Sequence, residues 1–451
     1  MLILLGLDVT VTILIFNIIG SYRGIADHPI FGPLAAPLFV LVAAVYLIDG
    51  YNARTDMLSV DYFSLHTIAI LSAMVATLLL TFVIFPEGYE LHSSRGVIAL
   101  TFVALIPLTL GYRRMIHMQT ASARSASSLV FVGDHAACQM FREECWKMGM
   151  QQPVIDATID EGGAPPTVAG KKTAAPQQPL RAVLEDTAAG RVAVEAIVLR
   201  ESNIELPPDV AQQLVRLFFQ GVPTYTLEFF HQVYWQKIPL YRLNPAWLFQ
   251  EGFQITREPV FERIKRVSDV VLSALGLLLA APFIALAMAA IFLEDRGPVF
   301  FRQTRVGKNR VSFRLLKLRT MRPGSGDGDL YTQPGDPRIT RIGRFLRATR
   351  FDEFPQLWNV LRGEMSLIGP RAEWDRLVDD YERQIPCYYF RHLVKPGITG
   401  WAQVNYLYGA NLEDTIRKLE YDLYYIRYFS FRLDASIVLK TIHIMLFGKG
   451  R

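Results

Sequence analysis

The chain has 451 residues, of which 51% are hydrophobic and 20% charged, and its net charge is +5. That length exceeds one ordinary domain, and so apolar a composition argues against a wholly soluble protein. Three cysteines (Cys138, Cys145, Cys387) make neither a disulfide framework nor a zinc-ligand pattern, so the expectation is reduced domains in the cytoplasm.

Four apolar stretches come first, at about 2–19, 37–48, 65–85 and 97–110. The third is long enough to span a bilayer alone; the second and fourth are near the lower limit. Arg113 and Arg114 close the fourth stretch and mark that end as cytoplasmic. Four spans over 1–115 then put the N-terminus on the same side, with the loop near 87–95 facing outward. The first residues lack a charged n-region and a cleavage site, so they read as a retained helix. Asp8, Asp49 and His66 are the few polar groups in these stretches, too sparse for a transport path.

The texture changes at Ser128. Strands are predicted at 129–133, 192–199 and 222–227, with helices at 136–148 and 210–219. Such alternation predicts a Rossmann-like α/β module with a parallel sheet over about 125–250. Asp134-His135-Ala136 follows Gly133 where a dinucleotide fingerprint would supply more glycines. The module therefore reads as cofactor-free, suited to regulation or dimer contacts. The Gly-, Pro- and Ala-rich segment 161–180 reads as a loop, and the aromatic segment 232–257 has no clear assignment.

A long apolar segment at 267–293 carries Pro282 mid-stretch and basic flanks on both sides (Arg263, Lys265, Arg266; Arg296, Arg302, Arg305). Proline disrupts a helix, and positive charge at both ends suits two ends on one side of a membrane. A re-entrant helix kinked at Pro282 accounts for both features; a straight fifth span is the competing reading.

Basic residues then crowd the region 302–350, as for phosphate groups or an anionic membrane face; nucleic acid is the other reading of such a patch. Arg338, Arg341, Arg344, Arg347 and Arg350 recur every third residue among apolar ones, as in an amphipathic helix on a membrane. The glycine-rich piece 324–328 is a candidate lid. Next stand two adjacent acids, Asp352 and Glu353, ahead of the helical pattern Phe354, Leu357, Trp358, Leu361. Pro355 fits only near a helix start, so the acids should sit at a helix N-terminus and stay ionised. An ionised carboxylate there can be a nucleophile or a metal ligand, or simply a cap. The glycines of 395–404 allow close backbone approach to a ligand. Tyrosine and phenylalanine enrich 420–431, as at membrane interfaces. The apolar stretch 433–447 is short for a span and should pack on its own domain or lie on the membrane.

From about Arg263 onward the chain resembles the bacterial sugar transferase family, the monotopic phosphoglycosyl transferases. Four stretches carry the resemblance: Phe301-Arg302-Gln303 with Arg305-Val306-Gly307; Lys317-Leu318-Arg319-Thr320-Met321; Asp352-Glu353-Phe354-Pro355-Gln356-Leu357 running to Ser366-Leu367-Ile368-Gly369-Pro370-Arg371; and Lys395-Pro396-Gly397-Ile398-Thr399-Gly400-Trp401-Ala402-Gln403-Val404. Phe351, Phe354, Glu364 and Ala372 depart mildly from the pattern, and Ala281 precedes Pro282 where the family often has serine.

The resemblance implies a mainly α-helical monotopic catalytic domain at 258–451, entering the membrane by a re-entrant helix at 267–293. It implies transfer of a hexose 1-phosphate, glucose or galactose, from a UDP-sugar to undecaprenyl phosphate, with UMP released, at the start of exopolysaccharide or capsule synthesis. Asp352 would form a covalent phosphosugar, and Glu353 would hold Mg²⁺. Lys317, Arg319, Arg347 and Arg371 would bind phosphates, with Gln403 and Asp422 also at the substrate. The setting would be the bacterial inner membrane, with the catalytic and α/β domains on the cytoplasmic face and the chain a homodimer. No nucleic acid is expected. A membrane-tethered, nucleotide-sensing regulator of polysaccharide export is the alternative.

Overall fold

The computed structural model describes residues 2–24, 30–52, 55–84, 95–125, 127–159, 177–200, 206–240, 259–324, 336–406 and 411–447. The expected outward loop, the candidate lid beyond Gly324 and most of the 161–180 loop lie outside these residues. The chain divides into two compact units, one of Met1–Val42, Gly50–Phe63 and Met74–Gln236, the other of Ala43–Asp49, Ser64–Ala73 and Lys237–Arg451.

The apolar stretches at the start are helices α1 (Leu2–Tyr22), α2 (Ala35–Leu47), α3 (Val60–Leu79) and α4 (Arg95–Ser125). Three of them are long and apolar enough to cross a membrane; α2 is shorter, about 20 Å at 1.5 Å per residue. The fourth is longer than its apolar run suggested and continues well past Arg113. In the first unit, α1 buries Leu4, Asp8, Thr12, Phe16 and Gly20, one row at a spacing of four. Asp8 on that row receives Arg113 of α4 through two N–H groups, at 2.7 and 2.5 Å, and both side chains are fully buried. Tyr51 and Tyr112 donate to the same carboxylate. Arg113 is thus an interior partner and not a flanking charge, a correction to its reading as a marker at the membrane edge. At the other end of α1, the Arg23 side chain lies against Gly96 of α4. The two helices therefore run antiparallel.

The α/β part of this unit holds β1 (Ser128–Val132), α5 (His135–Lys147), β2 (Val154–Thr158), β3 (Gln178–Pro179), α6 (Leu180–Ala188), β4 (Val194–Leu199), α7 (Pro208–Phe219), β5 (Thr224–Thr226) and α8 (Leu227–Phe230). Its five strands are all parallel in the order β3-β2-β1-β4-β5. Alternation along β1 sends Leu129 and Phe131 to the α5 and α8 side, and Val130 and Val132 to the α6 and α7 side. Covering on both faces explains why the strands read as continuous apolar runs. Strand β2 is interrupted by Asp156 and β3 is only two exposed residues, so neither makes an apolar run.

In the second unit, α9 (Pro259–Asp295) is one 37-residue helix that remains helical through Pro282. No loop separates two arms as a hairpin would require. Apolar side chains along it stand exposed, among them Leu278 (72%) and Leu286 (70%). Both halves pack on the same body. Arg266 donates to the carbonyls of Val360 and Leu361, Phe283 meets Phe351, and Ile291 packs with Leu318 and Leu346.

A hairpin of β6 (Phe300–Val306) and β7 (Ser312–Leu318) follows. After it come α10 (Arg341–Thr349), α11 (Gln356–Arg362), β8 (Ser366–Ile368), α12 (Asp375–Gln384), β9 (Gly397–Thr399), α13 (Trp401–Asn405), α14 (Leu412–Arg427) and α15 (Phe431–Phe447). Arg338 lies outside the arginine helix, held by Asp336. Strands β8 and β9 pair in parallel through Ser366 with Gly397 and Ile368 with Thr399. A Cβ on Gly397 would lie 2.1 Å from the Gly369 nitrogen, so these glycines let two backbones touch. They serve this crossing of the backbones. The core here gathers Trp401, Leu419, Tyr425 and Ile437, which sets α15 against its own domain.

Candidate active site

Asp352 and Glu353 sit on a single 3-10 turn (Phe351–Glu353) between α10 and α11. Arg350, in the left-handed region at φ 54°, ends α10 and makes the corner. Phe351 is anchored in the cluster of Ile291, Leu318 and Leu346, and its ring stacks on Phe354 at 4.5 Å. Pro355 then opens α11, as its missing N–H allows.

Asn359 on α11 ties this corner to β7. Its Oδ1 accepts the Leu316 N–H at 3.1 Å, and its Nδ2 donates to the Arg314 carbonyl at 2.8 Å. Lys317 follows directly on β7, and its Nζ reaches Glu353 Oε1 at 2.8 Å. Arg371, at the end of the Gly369-Pro370 turn, donates to the same oxygen at 3.3 Å. Arg347 from α10 bonds Thr320 Oγ1 at 2.9 Å, and its charge acts on Asp352. Asp352, Glu353, Lys317, Arg347 and Arg371 therefore converge, although they come from four separate stretches of chain.

The two carboxyls are shifted in opposite directions. Burial alone would raise Glu353, but Lys317 and Arg371 outweigh it and hold this carboxyl well below the usual range. At Asp352 burial prevails; with Glu353 repelling it, the carboxyl is raised despite Lys317 and Arg347. Glu353 is held ionised as expected, but by Lys317 and Arg371 and not by the helix start, whereas the Asp352 carboxyl is raised. Adjacent carboxyls pushed apart in pKa can take different roles.

A cavity of about 500 Å³ opens beside Glu353 and Arg371. Its lining includes the polar groups of Gln403, Lys418, Asp422, Arg391 and Glu373 and the apolar side chains of Leu272 of α9 with Val438 and Met445 of α15. Asp352 adjoins this space without lining it. Gln403 donates to the Ile398 carbonyl at 3.0 Å, which leaves its buried Oε1 without a partner. Asp422 receives Arg391 at 3.0 Å, and its other oxygen, also buried, has no partner. Burial raises the Asp422 carboxyl to about 6, against the pull of Arg391. Two unsatisfied buried acceptors suit a ligand that brings hydrogen-bond donors.

Arg319 is not brought to this site. It is buried against Asp295, on the side of Gly297. Arg391 is the group the sequence reading missed. It is buried, contacts Tyr388 and Asp422, and donates to the Arg371 carbonyl at 3.0 Å, so it fixes the chain that presents Arg371. It lies outside all four motifs, and nothing in its local sequence separates it from the other arginines.

Among the described residues, no three His, Cys, Asp or Glu side chains group to hold a metal ion. The ionised Glu353 beside Asp352 fits Mg²⁺, which commonly takes one or two carboxylates and completes its shell with phosphate and water.

The model of the family described as bacterial sugar transferase matches residues 260–448. The chain is 38% identical over 262 residues to an Aeromonas hydrophila protein named UDP-N-acetylgalactosamine-undecaprenyl-phosphate N-acetylgalactosaminephosphotransferase, covering 58% of this chain and 61% of that one. It is 46% identical over 185 residues to the UDP-glucose:undecaprenyl-phosphate glucose-1-phosphate transferase of Caulobacter vibrioides, covering 40% of this chain and 69% of that one. The exopolysaccharide production protein PSS of Rhizobium leguminosarum is 41% identical over 195 residues, covering 42% of this chain and 98% of that protein. The chain thus spans about three fifths of the first relative and two fifths or less of several larger ones.

Proposed function

Because this chain belongs to the bacterial sugar transferase family, we propose that it moves a hexose 1-phosphate from a UDP-sugar to undecaprenyl phosphate and releases UMP. One observation carries the reading: a carboxylate pair stands among three cations beside a cavity lined by both charged and apolar side chains. A water-soluble diphosphate and a lipid phosphate each need one part of that arrangement.

In this mechanism an Asp352 oxygen attacks the β-phosphorus of the donor. The bond from that phosphorus to the bridging oxygen breaks, and UMP leaves with the electron pair. The sugar phosphate is now an acyl phosphate on Asp352. An oxygen of undecaprenyl phosphate attacks the same phosphorus and expels the carboxylate, which restores the enzyme. A buried, more basic Asp352 is the better nucleophile of the pair once ionised, whereas Glu353 stays anionic and orders Lys317 and Arg371. These two cations and Arg347 bear on the phosphoryl oxygens, where fixed charge acts on the developing negative charge. Glu353, with Asp352 beside it, would hold Mg²⁺, whose part is to neutralise the diphosphate. Gln403 and Asp422 offer their free acceptors to donor groups of the nucleotide or sugar.

The setting we propose is the inner membrane, with the catalytic unit at the cytoplasmic face, α9 re-entrant, and the chain a homodimer. The packing of both halves of α9 on one body favours two ends on one side. The antiparallel course of α1 and α4 favours an even number of crossings between the N-terminus and the α/β module. Radiolabelled donor sugar should be trapped on the wild-type chain and not on Asp352→Asn. UMP release across a panel of UDP-sugars would identify the sugar; no release with any donor would refute the reading.

A further inference from the structure

A second cavity, of about 630 Å³, opens in the catalytic unit where α9 emerges. None of Asp352, Glu353, Lys317 or Arg371 lines it. Five cations do: Arg263, Lys265, Arg266, Lys308 and Lys395, against the acids Glu262 and Asp269. The acids are already engaged, Glu262 by Lys308 at 3.5 Å and Asp269 by the Leu367 N–H at 3.1 Å. Lys265 is spent on Asp434 at 2.5 Å, and Arg266 on the carbonyls that end α11. Among the described residues, Arg263 and Lys395 make no hydrogen bond or ion pair. Lys395 Nζ and an Arg266 guanidinium nitrogen both lie within 4 Å of the Cβ position of Gly363. Burial and Arg266 push the Lys395 pKa down, and the attraction of Asp269 and Glu262 does not offset them.

What the cavity opens onto limits the anion that fits. Val267 is part of its lining, and Val267, Val271 and Leu275 follow at a spacing of four on α9, 63%, 57% and 50% exposed. They make an apolar row that leads away from the cations along the helix. A free anion would leave that row bare, whereas an acyl chain would cover it. We propose that this cavity binds the phosphate headgroup of an anionic glycerophospholipid, with Arg263 and Lys395 as its charge partners and an acyl chain along Val267, Val271 and Leu275. Such a lipid would fix the depth of α9, and with it the height of the catalytic cavity at the membrane.

Lipid binding can be read without turnover, so the result is independent of the transfer reaction. The full-length protein in detergent is mixed with equal amounts of phosphatidylglycerol and phosphatidylcholine, and native mass spectrometry counts the bound lipid. Wild type should hold phosphatidylglycerol in preference. Arg263→Ala/Lys395→Ala should bind it roughly thirtyfold more weakly, about fivefold for each cation removed near a phosphate. Arg341→Ala/Arg344→Ala, which removes two arginines of α10 instead, should bind as wild type does. Equal retention of the two lipids by wild type would overturn the proposal, and needs no variant to fold. So would an unchanged affinity in Arg263→Ala/Lys395→Ala, an equal loss in both double variants, or displacement by inorganic phosphate. Preference for undecaprenyl phosphate over phosphatidylglycerol would also overturn it, by making the cavity a site for the acceptor.

Discussion

Replacing Lys317 by methionine removes the nearest charge to Glu353 and tests whether the cations serve the fold or the reaction. The ion pair is 2.8 Å long, with side chains only 17% and 12% exposed, so it belongs with buried pairs. At an effective dielectric near 20 the direct attraction is ~6 kcal/mol. Most of this offsets the cost of taking both charges out of water. Leaving Glu353 with only the longer Arg371 contact should cost about 3–5 kcal/mol. For a unit of this size that lowers the melting midpoint by about 6–20 °C. Glu353→Gln alone should destabilise similarly, because it strands Lys317 and Arg371. The double variant removes both charges and should recover most of the midpoint. Turnover should behave differently: Lys317→Met should lose about 10²–10³ in kcat, and the double variant should regain none of it. The assays are thermal shift in detergent and UMP release. A single variant that melts like wild type would contradict the buried-pair description. A double variant that recovers turnover would leave neither Lys317 nor Glu353 a role in the transfer.

Asp352→Asn should abolish transfer yet raise the melting midpoint near neutral pH. The sign follows from the raised carboxyl: the folded state binds its proton more tightly than the unfolded chain, so the ionised form costs stability as pH rises. A lower midpoint in Asp352→Asn would refute this. The Asp422 carboxyl, raised to about 6, should make the KM for the donor pH-dependent between pH 5 and 7; a KM–pH profile that Asp422→Asn leaves unaltered would remove Asp422 from the donor site. In the helical bundle, Asp8→Asn strands the buried Arg113 and should destabilise by about 3–5 kcal/mol, read by thermal shift. Chelation should stop UMP release, and calorimetry should find Mg²⁺ binding weak alone and much tighter with UMP, since Asp352 and Glu353 offer two carboxylates and phosphate oxygens complete the shell; tight binding without nucleotide would point to a site elsewhere.

The local rules of the chain already specify much of this protein. Apolar run length announces α1, α3 and α9, and the change of period at Ser128 announces the parallel sheet. The adjacency of Asp352 and Glu353 is covalent, and Pro355 bars a helix from starting much before Gln356. What depends on distant residues could not be read this way. The opposite shifts of the two acids depend on β7 bringing Lys317, and the Gly369-Pro370 turn bringing Arg371, into hydrogen-bond contact with Glu353, and on the burial of Asp352. Arg319, two residues from Lys317, looks equivalent in a motif, yet it is drawn to Asp295. Arg391 and Arg113 are two arginines among many until folding buries each beside an acid. Backbone preference and hydrophobic spacing act over a few residues, so the sequence carries them openly. Burial and charge pairing act through space, and only the folded chain determines which cation meets which carboxylate.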